Sequence, residues 1–528
     1  MKKILFLFIT GLTVSASYSQ EVSDALRYSQ ENLTGTARYR AMSGAFGAVG
    51  GDISALSVNP AGSAIFNSNQ VGISFSNQNI KNNSNYFGTQ TSDKENSFIL
   101  NQAGGVFVFK NHDPRVGWSK IAIGATYENT NNFNNEVFSA GTNPTNSVDA
   151  YFLDYANYSN GGTPVPHELV NTQGNETVSD LYHYLGSNFP NGQYPNLSGF
   201  SAQQALLGYQ GYIVNIDDVN NPNSPYSTNV PKGNNTNYYQ TNDIYSRGYN
   251  SKVSFNIATS YKDRLYLGAN LNVHITDYRR STSFYETNNG LLTSNERISS
   301  IRFNNDLYTY GNGFSFQLGA IGKVTEAFRL GIAYESNTWY ELYDELSQSL
   351  YTTRQAAGGP IINANVNPNV VNVYESYTLQ TPDKWTFSAA YVFGKSGLLS
   401  IDYGIRNYGN SKFKPTSDPG FRGINNDISN TLTSTGELRI GAEYKIKQLS
   451  LRGGYRYEGS PYKNGITVGE LNSYSAGLGY NFGSTKLDLA YSYLERDSNQ
   501  GFFTRGFTDG ANITSKLNNV TMTLLFEL

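Results

Sequence analysis

The sequence predicts an all-β fold: a transmembrane antiparallel β-barrel of about 14 strands, with an N-terminal hatch or plug inside its lumen. Three observations predict it. Runs of about ten residues alternate apolar and polar side chains, long enough for membrane-crossing strands. The connections between the runs alternate between short and long. A segment rich in Gly, Ala and Ser, 44–66, precedes the first run and has too few large side chains to build a core of its own. It would be ordered only if something enclosed it.

Composition fits this class. The 528 residues include 41 Tyr and 29 Phe, and an aromatic content of 14% suits strands that end in aromatic belts. Mean hydropathy is -0.45, and no apolar run reaches the ~20 residues of a membrane-spanning helix. In a barrel only alternate residues face lipid, so a low mean is expected. A net charge of -3 argues against nucleic acid as a partner. The chain has no Cys, so its stability must come from strand pairing and closure rather than disulfides.

In chain order, residues 1–19 read as a cleaved signal peptide. Lys2 and Lys3 give a positive start, Ile4–Val14 is mostly apolar, and Ser17 and Ser19 supply small residues for cleavage. The mature chain is expected to start near Gln20. Residues 20–69 form the expected hatch. A short helix fits Gln20–Tyr39, and Asp52 is placed to cap a turn over Ile53–Leu56. Asn59-Pro60 ends that turn, since the residue before proline avoids the helical region. On the residues alone Asn59-Pro60 is an ordinary turn.

Residues 70–528 form the barrel. Strands are expected to begin near Gln70, Asn96, Trp118, Tyr249, Arg264, Gly313, Phe328, Asn372, Gly397, Leu432, Gln448, Leu471, Thr485 and Ile513. The alternation is cleanest late in the chain. Leu438, Ile440, Ala442, Tyr444 and Ile446 share one face there, and Glu437, Arg439, Gly441, Glu443 and Lys445 the other. Short turns fall at Lys262-Asp263, Thr325-Glu326, Lys395-Ser396, Lys447-Gln448 and Gly483-Ser484, and a longer one at His112–Gly117. Long polar connections are expected at Lys81–Glu95, Asn134–Asp243, Glu286–Tyr310, Gln348–Val371, Asn410–Ser429, Gly459–Glu470 and Asp497–Asn512. Short turns on one side and long loops on the other mark an outer-membrane barrel and not a soluble sandwich. The insertion 134–243 carries helical patterns near Val178–Leu185 and Ala202–Tyr209. It reads either as an extracellular cap over the barrel mouth or as a mobile surface loop.

Alternation also assigns lumen-facing charges: Asp402, Arg406, Arg439, Glu443, Arg452, Arg456 and Asp488. Arginine suits a substrate carboxylate. The bland alternative, which the balance favours, is that these charges pair across strands and hold the hatch. No catalytic site is legible. The histidines His112, His167, His183 and His274 have no assignable nucleophile or ligand cluster near them. No metal and no cofactor is called for.

Four stretches carry a resemblance. Ala41–Phe46 runs into Asp52–Leu56 and Asn59-Pro60-Ala61-Gly62. Leu379-Gln380-Thr381-Pro382 leads into Trp385–Phe393. Arg439–Tyr444 is followed by Leu451–Tyr455 and Ser460-Pro461, and Tyr474–Phe482 by Asp488–Tyr491. Together they resemble the FadL family of outer-membrane transporters of long-chain fatty acids and other hydrophobic compounds. The resemblance implies a hatch gated at Asn59, Pro60, Ala61 and Gly62. It also implies passive diffusion of a hydrophobic small molecule, with sideways exit through the barrel wall; the third strand, near Trp118–Phe133, is the guess for the opening. Implied partners are that ligand, outer-membrane lipids and lipopolysaccharide, and the barrel-assembly machinery during insertion. The insertion is larger than the family's better-known members lead one to expect. Some relatives act as outer-membrane shuttles in protein secretion, so a docking barrel with a protein partner at the cap is the rival reading. A general porin fits less well, because a plug argues against an open channel.

Overall fold

The computed structural model describes residues 20–528 except 112, 114–116, 188, 190–192 and 234; the expected signal peptide, 1–19, lies outside the described residues. The wall is a closed antiparallel barrel of 14 strands. They are β1 (Gln70–Tyr86), β2 (Thr89–Lys110), β3 (Trp118–Asn132, resuming as Asn135–Asn143), β4 (Tyr238–Tyr261), β5 (Leu265–Asn288), β6 (Arg297–Lys323) and β7 (Phe328–Glu335, resuming as Trp339–Gln355). Then come β8 (Ile361–Val366, Val371–Val373, Tyr377–Gln380 and Lys384–Val392), β9 (Gly397–Asn407), β10 (Ser434–Ile446), β11 (Leu449–Glu458), β12 (Val468–Asn481), β13 (Thr485–Gly501) and β14 (Gly510–Glu527). Each pairs with its sequence neighbour, and β1 closes on β14 from Gln70–Glu527 to Asn85–Asn512.

Side chains sort by parity as a membrane requires. Outward positions such as Leu267, Leu271, Val273 and Ile275 on β5 are apolar and open to the surroundings. Inward positions on the same strand, Asn270, Asn272, His274 and Thr276, are polar and buried. Among the described residues no helix is long and apolar enough to cross a membrane. At the short-turn end, Lys262 and Asp263 close the β4–β5 hairpin with positive φ of 50° and 49°, the geometry that matches hairpin twist.

Four of the expected long connections are corrected. Lys81–Glu95 is mostly strand, with β1 and β2 joined at Phe87-Gly88. Glu286–Tyr310 and Gln348–Val371 are likewise largely paired hairpin, and Asp497–Asn512 narrows to a loop over 502–509. The starts expected at Asn96, Tyr249, Gly313 and Asn372 therefore come too late. The physical reason is that strands such as β6, at 27 residues, outrun the ~9–11 residues needed to cross the bilayer. Beyond it the outer face meets water instead of lipid, so the apolar outward residues that mark a strand are lost and the period-two pattern fades while backbone pairing continues.

The insertion 134–243 is strand at both ends, where Asn135–Asn143 pairs with Tyr238–Ser246. Between them lie helices Asp149–Tyr158, Val178–Ser187 and Gly199–Gln210. The first of these has no counterpart in the sequence reading. The helices share one apolar core with the projecting wall: Phe152, Tyr182, Leu185 and Leu206 pack with Phe284, Phe303 and Leu350. Tyr182 and Gln204 both donate hydrogen bonds to Gln348 Oε1, at 2.9 and 2.7 Å. The insertion is a folded cap seated on the wall, not a loose loop.

Candidate functional site

The N-terminal segment lies inside the barrel. Helix α1 (Val22–Ser29) and the single turn α2 (Ala37–Ala41) precede two 3-10 turns, Ile53–Ser57 and Pro60–Ile65. Asp52 caps the first turn by accepting from Ser54 N at 3.0 Å. Asn59 caps the second by accepting from Ala61 N at 3.1 Å, and Pro60 starts it with a pre-set φ. With its oxygen so engaged, Asn59 turns its amide outward. Nδ2 donates to Gly47 O at 2.8 Å and to the β6 carbonyl of Ala320 at 3.1 Å. Pro60 O accepts from Asn256 Nδ2 of β4 at 3.0 Å. Ala61 and Gly62 are buried beside them. All four motif residues thus sit where the segment meets the wall.

The wall makes room for this contact with glycine. A Cβ on Gly319 would strike Asn59, and one on Gly268 would strike the Pro60 backbone. Neither glycine was singled out in the sequence, which carries no local sign that backbone presses on them.

Charges tie the same segment to β7–β13. Arg38 meets Glu443 at 2.8 Å. Arg452 meets Glu443 at 2.7 Å and Asp488 at 2.5 Å. Arg439 and Arg456 both meet Glu437 Oε1 at 2.6 Å, and Lys384 meets its other oxygen at 2.7 Å. Arg439 also donates to Tyr39 OH at 3.2 Å. Arg406 pairs with Glu335 at 3.1 Å and donates to Ser29 O at 2.5 Å. Asp402 accepts from Gly47 N at 2.9 Å. Every lumen charge singled out in the sequence is therefore engaged, and Arg406, Arg439, Glu443 and Asp402 bond the N-terminal segment directly. The sequence reading did not single out Arg38 or Glu335, and placed Glu437 on the inner face without a partner, since pairs such as Arg38–Glu443, 405 residues apart, and Glu335–Arg406, 71 apart, leave no local pattern.

Two features could handle a ligand. The first is a cavity of about 310 Å³ under the cap. Its upper wall is aromatic: Tyr151, Tyr155, Phe200, Phe284, Phe303 and Phe503. Its floor is Gln20, Glu21 and Asp24 of the N-terminal segment. Burial pushes the Tyr155 phenol up to about 12, against the opposing charge of Arg505, so it stays a neutral donor.

The second is a break in the wall. Pairing of β2 with β3 runs from Lys110–Lys120 to Gln102–Glu128 and stops. Above it, β2 pairs with β1 alone and β3 with β4 alone. Side chains span the break instead: Asn134 Nδ2 donates to Ser97 Oγ at 3.1 Å. Phe98 and Leu100 face outward at this level, so the break opens in the apolar belt.

Of the histidines, His274 is buried, with Nε2 2.9 Å from Ser315 Oγ and Nδ1 3.3 Å from Tyr340 OH. Among the described residues no carboxylate bonds it. His167 and His183 lie in the cap, and His112 lies outside the described residues. Among the described residues no cluster of His, Asp and Glu could hold a metal ion.

A family model described as outer membrane protein transport protein (OMPP1/FadL/TodX) matches residues 225–521, more than half of the chain. No curated protein sequence matches. Among solved structures, a FadL homologue from Pseudomonas aeruginosa aligns over 94% of this chain and 99% of its own, with a TM-score of 0.51 at 12% identity. The toluene transporter TbuX from Ralstonia pickettii aligns over 94% and 99%, with a TM-score of 0.47 at 14% identity. The toluene transporter TodX from Pseudomonas putida aligns over 95% and 100%, with a TM-score of 0.48 at 13% identity. The first of these shares the fold of the chain described above.

Proposed function

The chain belongs to the OMPP1/FadL/TodX family of outer membrane transport proteins, and on that premise we propose that it moves hydrophobic small molecules, of the class that includes long-chain fatty acids and monoaromatic hydrocarbons, inward by passive diffusion. The ligand enters the aromatic cavity under the extracellular cap. Residues 20–69 act as the hatch and yield at Asn59-Pro60-Ala61-Gly62. The ligand then leaves sideways through the wall into the bilayer. The observation that carries this reading is the pairing of a filled lumen with an interrupted wall. The straight path is blocked by buried backbone and ion pairs, while the β2–β3 ladder ends beside the plug. An apolar solute gains by going from an aromatic-walled pocket to lipid without crossing bulk water.

The absence of native Cys gives a clean test. Ser97→Cys with Asn134→Cys, at side chains that touch, places a removable staple across the break. Uptake of a labelled fatty acid, its matching alcohol and toluene into proteoliposomes should fall on oxidation and return with reductant. Uptake indifferent to the staple refutes lateral exit. No uptake of any of the three refutes transport.

Docking of a protein partner on the cap is the second reading. Tyr158 and Val219 favour it, exposed at 64% and 62% on the outside of an otherwise well-packed cap.

A further inference from the structure

The break between β2 and β3 is not a plain gap in an apolar wall. Two β-bulges face each other across the place where pairing ends. On β2, Ser74 pairs with Gln102 and Phe75 with Leu100, so Asn101 is the extra residue. On β3, Asn129 pairs with Ser251 and Asn131 with Asn250, so Thr130 is extra. A bulge re-aims side chains, and bulges gather at sites of function. Here they turn consecutive residues inward: Asn101 and Gln102 are fully buried, and Glu128, Asn129 and Thr130 are 4%, 7% and 3% exposed.

These inward groups are left short of partners. Asn101 Oδ1, Glu128 Oε1 and Asn129 Oδ1 accept no hydrogen bond, and neither Thr126 Oγ1 nor Gln102 Nε2 has a partner. Buried polar atoms are normally satisfied, because an orphan costs about 1–3 kcal/mol. Three of these five orphans are acceptors and one is a hydroxyl that can serve as one. Their other atoms are held by the hatch: Asn101 Nδ2 donates to Gly35 O, and Ser57 Oγ donates to Glu128 Oε2. Asn32 N donates to Thr130 O at 3.0 Å. Glu128 makes no ion pair among the described residues. Lys252, its register partner, sits 3.8 Å from Glu31 instead. Glu128 and Thr130 line a cavity of about 50 Å³ inside the wall.

From this geometry, and resting on the lateral-exit reading above, we infer that the break is a head-group slot for an amphiphile whose head donates hydrogen bonds, an alcohol or a protonated amine, while its tail leaves between β2 and β3. The acceptors of Asn101, Glu128 and Asn129 take the head group. Phe98 and Leu100 flank the tail on the lipid side. The cavity's charges already balance, Glu31, Glu128 and Glu335 against Lys252, Lys384 and Arg439, so a carboxylate head adds an uncompensated negative charge, offers no proton to the waiting acceptors, and passes the slot held less tightly than an alcohol or an amine. Because Ser57 Oγ donates to Glu128 Oε2 and Asn32 N to Thr130 O, displacing the hatch frees two further acceptors as the head group arrives, while withdrawal of Gly35 O frees the Asn101 Nδ2 donor.

The test uses the purified full chain in nanodiscs with hexadecanol, hexadecylamine and palmitate, each carrying a diazirine beside the head group. Photolabelled peptides are mapped by mass spectrometry. The alcohol and the amine should label residues 97–104 and 126–132 about tenfold more than palmitate, the ratio given by one net hydrogen bond of the stronger kind. Glu128→Gln removes the charge and should raise palmitate labelling there while lowering that of the amine. If that variant fails to fold, Thr126→Val should lower labelling by the alcohol. Palmitate labelling the slot as strongly as the alcohol overturns the inference. Labelling confined to the cavity under the cap overturns the slot and leaves transport standing. An absence of labelling by all three probes overturns both.

Discussion

Asn59→Ala is the sharpest probe of how the hatch is held. The substitution deletes an N-cap, worth about 1 kcal/mol. It also removes the donor shared by Gly47 O and Ala320 O. Gly47 is buried, and a buried carbonyl that loses its donor costs about 1–3 kcal/mol. Ala320 belongs to the β6–β7 ladder and has a second lone pair, so its loss is smaller. The sum is about 2–4 kcal/mol, all of it on the hatch side of the contact. The assay is amide hydrogen exchange on the folded barrel, read on peptides from 53–66. Opening should become about 30- to 700-fold more frequent, since each 1.4 kcal/mol is a factor of ten, with β4–β7 unchanged. Asn59→Ser keeps a cap but loses the amide donor, and should fall between wild type and Asn59→Ala. Unchanged exchange at 53–66, or equal loosening of the wall strands, would refute the idea that Asn59 is a local clasp.

Other expectations follow from the same contacts. Gly319→Val puts a branched side chain where Asn59 lies, so the hatch should become protease-sensitive while heat-modifiable migration still reports a closed barrel. Arg38→Met leaves Glu443 short of one of its two close arginines. Breaking such a buried pair costs about 3–5 kcal/mol, which should appear as faster exchange across 36–52, partly restored by adding Glu443→Gln. Phe152→Ala empties a fully buried position in the cap core. It should cost about 3–5 kcal/mol of cap stability, read as loss of protection in 149–210 without change in β9–β14.

Much of the membrane-embedded wall was legible because lipid imposes a local rule. On β12, Tyr474, Leu478 and Tyr480 face outward and alternate with Ser475, Gly477 and Gly479 in a pattern a ten-residue window can see. The rule lapses above the membrane. Residues such as Asn83, Ser84 and Asn85 are strand yet read as loop, because no apolar face distinguishes them. In the cap, the helix Asp149–Tyr158 went unread because Leu153 lies opposite the face that carries its aromatic residues, which blurs the apolar stripe. Tyr151, Phe152 and Tyr155 are buried, while Tyr158, on the same side at the last residue of the helix, is exposed.

Of the candidate site, the sequence located the Asn-Pro-Ala-Gly motif and the inward arginines, because motif and parity are properties of adjacent residues. It could not say that Arg439 and Arg456 share Glu437, or that Glu443 reaches Arg38 some four hundred residues away. Nor could it show that the extra residues on β2 and β3, Asn101 and Thr130, fall opposite each other at the end of a ladder. By itself, then, the chain determined which residues face lipid and which face inward, since the bilayer demands that two residues at a time. Closure of the barrel decided the rest. Only when β1 meets β14 and the register is fixed do distant inward residues become neighbours. Contacts of that kind, rather than any local stretch, clasp the N-terminal segment and set the two bulges where the β2–β3 ladder ends.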